Sequence, residues 1–397
     1  MLTYATPAVA GSHPSVSDLQ ASSFSAGVAE GAVTCDEIAA FGANVLLSTF
    51  GTSRSPNQEV AAFVEENDRF VRGMAGRNAE RSDYWLAVSQ LYAQLDGLLA
   101  GYNDFSVCSK QSAFVPMSKE ELLYINLDGD LFDLMSAFPD SDSMEGAGPT
   151  GEQEPFRSRR KDGKVNRRAR GREDEGGKVL RCSSLFKITL DDVFFGHTTW
   201  DTYSTATPRI FKSVTLPVRR GGKITTHTDS FSSSPGFIAS IDDYYLLGGT
   251  STLGVVETSN DVYDLSAYDY LKPQCVFCWA RTMAANMLAY DGESWGKIFG
   301  NEFHSGTYNN QWLLDDSSKF TATTPRKGLF WVLEEAPGLI HAEDQTEKLI
   351  ADGYWGSYNV AYYADIRERI GETGSYVSCP RANIFRELQG NVTTIEE

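Results

Sequence analysis

The chain has 397 residues, 41% of them hydrophobic and 12% aromatic, so it is long enough to bury a large core. Its 35 Lys and Arg against 53 Asp and Glu leave a formal charge of −18, which argues against nucleic-acid binding through a basic face. Six cysteines are too few for a disulfide scaffold of this size, and no run approaches the roughly 20 apolar residues of a membrane span.

In chain order, residues 1–20 are small, polar and proline-bearing, and are expected to form a disordered lead. Residues 21–138 read as a helical part. Thr34 with Glu37 predicts a capping box, and Ile38, Phe41 and Val45 then repeat on one face. Ser55-Pro56-Asn57-Gln58 predicts a second capping box, opening a helix that carries Val60, Phe63, Val64 and Phe70. A third helix is predicted from Asp83 to about Ala100, with Trp85, Val88, Leu91, Leu95, Leu98 and Leu99 as its buried side and Gly101 as its stop. The apolar run Leu122–Asn126 predicts a short strand. Asp128, Asp130 and Asp133 follow around Gly129, but the EF-hand spacing that ends in Glu is absent, so no metal is assigned and no cofactor is expected.

From residue 139 to 181 the composition collapses to Ser, Gly, Pro, Glu and Arg. Burial there cannot offset the entropy of ordering, so a solvated linker is expected. Arg157-Ser-Arg-Arg160 and Arg167-Arg168 look open to a processing protease. Residues 182–397 form a β-rich part. It begins with Cys182 and two strand-like runs, Leu185–Leu190 and Val193–His197, joined at Asp191-Asp192. Symmetric pairing about that junction sets Leu190 opposite Val193 and Cys182 opposite Asp201. Cys182, Ser184, Phe186, His197, Thr199 and Asp201 then share one face.

Cutting Arg181–Cys182 would give Cys182 an α-amino group with a pKa of about 7.7–8. Such an amine serves its own thiol as a general base near neutral pH, with Asp201 opposite to orient the ammonium. Further strands are expected at Ile210–Val218, Gly222–Thr228, Phe237–Ile241, Tyr244–Leu247, Leu253–Thr258, Asn309–Leu314 and Leu329–Leu333, and a helix from about Pro273 to Tyr290. His227 alternates with polar residues and reads as a surface or pocket-rim imidazole. Cys275-Val-Phe-Cys278, without a second pair or a His set, reads as a local disulfide or two packed thiols. Asn391-Val-Thr393 is a glycosylation sequon if the chain enters the secretory path. Gly249-Thr-Ser251-Thr-Leu253 fails as a serine-hydrolase elbow at its last position.

The blocks Cys182-Ser-Ser-Leu-Phe-Lys187, His197-Thr-Thr-Trp-Asp-Thr-Tyr203, Ser234-Pro-Gly236, Asp242-Asp-Tyr244, Glu257-Thr-Ser-Asn260, Trp279-Ala-Arg281 and Ser305-Gly-Thr-Tyr-Asn-Asn-Gln-Trp312 resemble the phospholipase B-like family of N-terminal-nucleophile hydrolases. The resemblance implies an α+β fold of two antiparallel sheets between helical layers, with a removable linker peptide before the nucleophile. It implies release of fatty acyl chains from glycerophospholipids by Cys182, or, as alternatives, amidase action on N-acyl lipids or peptides, or a non-catalytic interaction protein retaining the fold. By the same resemblance Asp201 binds the amine, Asn260, Asn309 and Asn310 supply oxyanion donors, and Arg381 stabilises active-site charge. His197 and Trp200 shape the pocket, with Thr199 and Thr258 beside the substrate. Thr198, Ser234 and Arg181 depart from the family pattern, and Arg181 in particular hands the cut to another protease or slows self-cleavage. A lysosomal or secreted location is implied. No signal peptide is visible, and the pattern normally continues past Glu397, so both termini are expected to be incomplete.

Overall fold

The computed structural model describes residues 1–5, 14–104, 106–108, 114–139, 182–206, 208–249, 251–320 and 326–394. Strand β1 (Leu2–Ala5) is followed by helices α1 (Val16–Val33), α2 (Cys35–Phe50), α3 (Gln58–Asn78), α4 (Asp83–Tyr102), α5 (Lys119–Asn126) and α6 (Asp128–Ala137). The expected lead over 1–20 is thus corrected: β1 adds to a sheet edge, and Ser15 with Asp18 closes a capping box that starts α1. The caps of the next two helices also differ. The Thr34 hydroxyl turns back to the Glu30 carbonyl at 2.7 Å and leaves α2 without a side-chain cap. Asn57, not Ser55, caps α3 by accepting from the Val60 amide at 3.0 Å. Leu122–Asn126 is helical rather than a strand, because Ser118 and Glu121 cap each other's backbone amides just ahead of it.

Helices α1 and α4 meet along a seam of glycines. A Cβ on Gly27 or Gly97 would lie 2.0 Å from the facing carbonyl oxygen of Gln94 or Phe24, and one on Gly31 or Gly101 would lie 2.2 Å from that of Leu98 or Val28. Gly101 therefore does not stop α4. It lets two backbones touch, and the helix runs on to Tyr102. A disulfide joins Cys35 to Cys108.

The second part contains β2 (Ser183–Ile188), β3 (Val193–Thr198), β4 (Ile210–Arg220), β5 (Lys223–Ser233), β6 (Tyr244–Gly248) and β7 (Leu253–Ser259). Next come α7 (Cys278–Leu288), α8 (Gly292–Phe299), β8 (Asn310–Asp316), β9 (Phe330–Ala336) and β10 (Leu339–Asp344). The last elements are α9 (Thr346–Asp352), β11 (Tyr354–Ser357), α10 (Ala364–Ile370) and α11 (Pro380–Leu388). One sheet runs β1-β4-β5-β6-β7-β8-β9-β10 and the other β11-β2-β3, every pairing antiparallel except β1 with β4. Alternation along β7 sends Val255 into the core shared with the N-terminal helices and α7, and Val256 into the core between the sheets, with Phe186, Leu313, Phe330 and Trp355. The result is an α+β sandwich, with α9 packed on β2 and β11. The N-terminal helices and β4–β8 share one apolar core, so the two sequence halves fold together.

Three expectations over this part are corrected. Phe237–Ile241 is a buried irregular crossing rather than a strand, with the Ser240 amide donating to the Tyr245 hydroxyl at 2.9 Å. His227 is buried, its Nε2 lying 3.0 Å from Asp229 Oδ1. The helix expected from about Pro273 begins only at Cys278, after Phe277 in extended backbone. Cys275 and Cys278 are two free, buried thiols. The linker after Pro139, Arg181 included, lies outside the described residues. Among the described residues no helix is long and apolar enough to cross a membrane.

Candidate active site

The β2–β3 hairpin turns one residue earlier in the chain than expected. Ile188 pairs with Val193 and Ser184 with His197, because Thr189 donates from both its amide and its hydroxyl to the Asp192 carbonyl, closing a longer turn. The slip is two residues, so the faces survive. Cys182, Ser184 and Phe186 still share a side with His197 and Thr199, but the register brings Cys182 level with Thr199 rather than Asp201. Asp201 sits beyond the strand end, half-buried, with its carboxylate accepting from the Thr202 amide at 2.6 Å.

Cys182 is only 6% exposed and has a φ of 25°, in the left-handed region that a non-glycine residue rarely adopts. Its carbonyl accepts from Arg381 Nη1 at 2.8 Å, and the same nitrogen reaches Ser183 Oγ at 3.0 Å. Arg381 Nη2 donates to the Tyr358 carbonyl and to Asn359 Oδ1, at 2.7 Å for the latter. Asn359, at φ 62°, passes the connection to the Ser259 carbonyl at 2.5 Å. Arg381 therefore ties the head of β2 to the end of β7. Sequence reasoning missed Asn359, which carried no motif.

Burial, then the negative charge of Glu257, holds the Cys182 thiol well above its ordinary range; Asp243 and Asp201 add to this, and a hydrogen bond with the Trp200 backbone opposes it. Glu257 and Asp243 form a buried acid pair. The Tyr308 hydroxyl donates to Asp243 and lies 3.5 Å from Glu257 Oε2, while burial pushes Asp243 up to about 7. Glu257, a carboxyl that follows the apolar start of β7, carries a readable signal in sequence, whereas Asp243 lies in the turn before β6. His197 is half-buried and bonded to the Glu257 backbone; desolvation pushes its pKa down to about 4, so the ring is neutral at physiological pH.

The three expected amide donors differ in their commitments. Asn309 Nδ2 donates to Asp133 at 2.9 Å, and Asn310 Nδ2 to the Tyr308 carbonyl at 2.6 Å. Asn260 is 5% exposed, and neither atom of its amide has a partner among the described residues. Thr258 bridges the sheets through Ser357 Oγ at 2.6 Å, away from the cleft lining. Beside the hairpin lies a cleft of about 710 Å³ lined by His197, Thr199, Trp200, Asp201, Tyr203, Arg209, Phe211, Asp242 and Tyr244. At its floor Asp242 accepts from Thr199 Oγ1 at 2.8 Å and pairs with Arg209 at 3.2 Å. Trp200 and Tyr203 stand exposed on its rim. Asn391 is exposed in a short turn after α11. Among the described residues no three His, Cys, Asp or Glu side chains converge as metal ligands.

Two packed sheets with their helices place the protein among α+β sandwiches, with Cys182 at the head of β2 held through its carbonyl by Arg381. The phospholipase B family model matches residues 8–397, and the chain belongs to that family. It is 34% identical to phospholipase B-like protein G of Dictyostelium discoideum, over 94% of this chain and 62% of that one. It is 31% identical to phospholipase B of Crotalus adamanteus and 30% to phospholipase B-like 1 of Bos taurus, each over 94% of this chain and 64% of the relative. The chain thus spans less than two thirds of the length of these relatives. The resemblance carried by the motif blocks is borne out.

Proposed function

We propose that the protein is an acyl hydrolase of phospholipase B type whose nucleophile is Cys182, released as a new N-terminus by cleavage of the Arg181–Cys182 bond. The observation that carries this reading is the grip of Arg381 on the Cys182 carbonyl, with the Glu257–Asp243 acid pair acting on the same residue. In the intact chain the thiol is protonated and inert. A cut replaces an amide nitrogen with an α-amine whose ordinary pKa is about 7.7–8. The nearby carboxylates favour its ammonium form, and the amine takes the thiol proton as the sulfur attacks the ester carbonyl.

The oxygen of the tetrahedral intermediate is placed at the amide of Asn260, whose donors are uncommitted. Collapse expels the alcohol, which receives its proton from the ammonium. Water, deprotonated by the regenerated amine, then cleaves the thioester and frees the fatty acid. Trp200, Tyr203 and Phe211 offer the cleft's apolar surface to the lipid. In this reading residues 139–181 form the removable linker, opened by a processing protease at its basic pairs. A secreted or lysosomal protein would carry a glycan on the exposed Asn391.

Intact-mass analysis with N-terminal sequencing tests the cut: a fragment beginning at Cys182 is expected. Cys182→Ser should lose nearly all fatty-acid release from phosphatidylcholine. A single uncut chain at acid pH that releases no fatty acid would favour a non-catalytic protein. A thiol with an amine base attacks esters and amides alike, so faster turnover of an N-acyl amide would reassign the substrate to the amidase class.

A further inference from the structure

Helix α6 carries Asp128-Gly-Asp130 and, one turn on, Asp133. The last two acids and the glycine face the loop 305–310. Asp130 accepts from the Thr307 hydroxyl and from the Cys278 backbone amide at 3.3 Å. Asp133 Oδ2 accepts from the Asn309 side-chain amide at 2.9 Å and its backbone amide at 3.3 Å, while Oδ1 accepts from the Tyr268 hydroxyl. Gly129 lies flat beneath the Tyr308 ring, where a Cβ would sit 2.4 Å from Cδ2. The loop needs such anchors, because Gly306 and Tyr308 both hold positive φ, at 67° and 55°, and residues 305–309 precede the ladder of β8, which begins at Asn310. The far side of the loop reaches the candidate site: the Asn309 carbonyl accepts the backbone amide of Asn260 at 2.7 Å.

We infer that Asp133 is a positioning residue which, through Asn309, holds the backbone of Asn260 and so aims the one uncommitted amide of the three at the reacting carbonyl. An amide without a partner is not locked by its own hydrogen bonds, so its direction is set by its backbone and by the packing around it. A carboxylate taking several donors is a strong and directional anchor for that backbone. Donors fixed before charge develops stabilise the transition state without reorganising. The catalytic part of this inference rests on acyl transfer at Cys182; the structural part does not.

The test uses the full chain with two readouts. In Asp133→Asn, hydrogen–deuterium exchange at the Asn260 amide should rise about tenfold as a charge-assisted anchor is weakened, with exchange in α4 unchanged. In fatty-acid release from phosphatidylcholine micelles, kcat should fall about tenfold at unchanged KM, the signature of an interaction made only in the transition state. Asp133→Asn combined with Asn260→Ala should be no slower than Asn260→Ala alone, because the two act in series. Asn309→Ala, which removes only the side-chain contact, should shift both readouts the same way by less, and it serves if Asp133→Asn does not fold. Unchanged exchange at Asn260 in both variants, or additive losses in the double variant, would overturn the inference. If Cys182→Ser still releases fatty acid, acyl transfer at Cys182 fails while the exchange result still decides the anchoring.

Discussion

Arg381 Nη1 lies 2.8 Å from the carbonyl oxygen of Cys182, a residue 199 positions earlier in the chain. One guanidinium thereby ties two distant backbone segments, through the Cys182 carbonyl and Ser183 hydroxyl on one and the Tyr358 carbonyl and Asn359 side chain on the other. Lysine presents a point charge on a flexible stem and cannot hold such a fork. Arg381→Lys should therefore lower acyl release by roughly 10–100-fold, the equivalent of one or two charged hydrogen bonds. Steady-state kinetics on a common lipid substrate checks this, and full activity in the lysine variant would refute it.

Stability should be greater at acid pH. Burial pushes Asp130, Asp243, Asp315 and Glu334 up to about 7 and Asp133 to about 6, from ordinary values of 3.8 for Asp and 4.5 for Glu. A carboxyl raised on folding binds more protons in the folded state, so its contribution is full below the unfolded pKa and is lost as pH rises through about 6–7. His197, pushed down to about 4, works the other way below pH 6.5, as a single group against five. Glu335 is buried, yet Arg281 holds its carboxyl low, so it matters only at pH values below its ordinary 4.5. The thermal midpoint at pH 5 should exceed that at pH 8 in matched salt. Asp315→Asn, remote from the cleft, should flatten the slope.

The glycine seam predicts opposite signs for one chemical change. Gly97→Ala drives a methyl group into the Phe24 carbonyl and should destabilise by about 1–3 kcal/mol. Gly76→Ala meets nothing within 4 Å in α3 and should stabilise by about 0.5–1 kcal/mol. Urea titrations of the two variants decide it; equal signs would mean the α1–α4 contact is looser than described.

Alkylation should separate the cysteines. At neutral pH iodoacetamide should label half-buried Cys379 well before Cys182, whose thiol is buried and held protonated. Labelling at Cys182 should appear only with the cleaved form. Peptide mass spectrometry reads both, and rapid modification of Cys182 in uncut chain would remove the basis for a cleavage-gated nucleophile.

Much of this was legible where cause and effect are near in sequence. The apolar faces of α2, α3 and α4 followed from helical spacing, and alternation put Cys182 on the same side as His197 and Thr199. Local reading failed where two local signals competed. The apolar run Leu122–Asn126 suits a strand on its own but follows the Ser118–Glu121 cap of a helix, and Gly101 suits a helix stop although its role is a contact with α1. The site was legible only in part because its electrostatics are non-local. Glu257, Asp243 and Tyr308 meet through strand pairing and a distant loop, and no spacing in the chain announces that Asn309 spends its amide on Asp133 while Asn260 keeps its own free.

The shared core has a practical outcome for a chain nicked ahead of Cys182. The Cys35–Cys108 bridge closes entirely on the upstream side, so no disulfide among the described residues spans the nick. Helices from one piece and strands from the other nevertheless bury the same apolar side chains. Such a protein should elute as a single particle under native conditions, then part into two bands in detergent whether or not reductant is present.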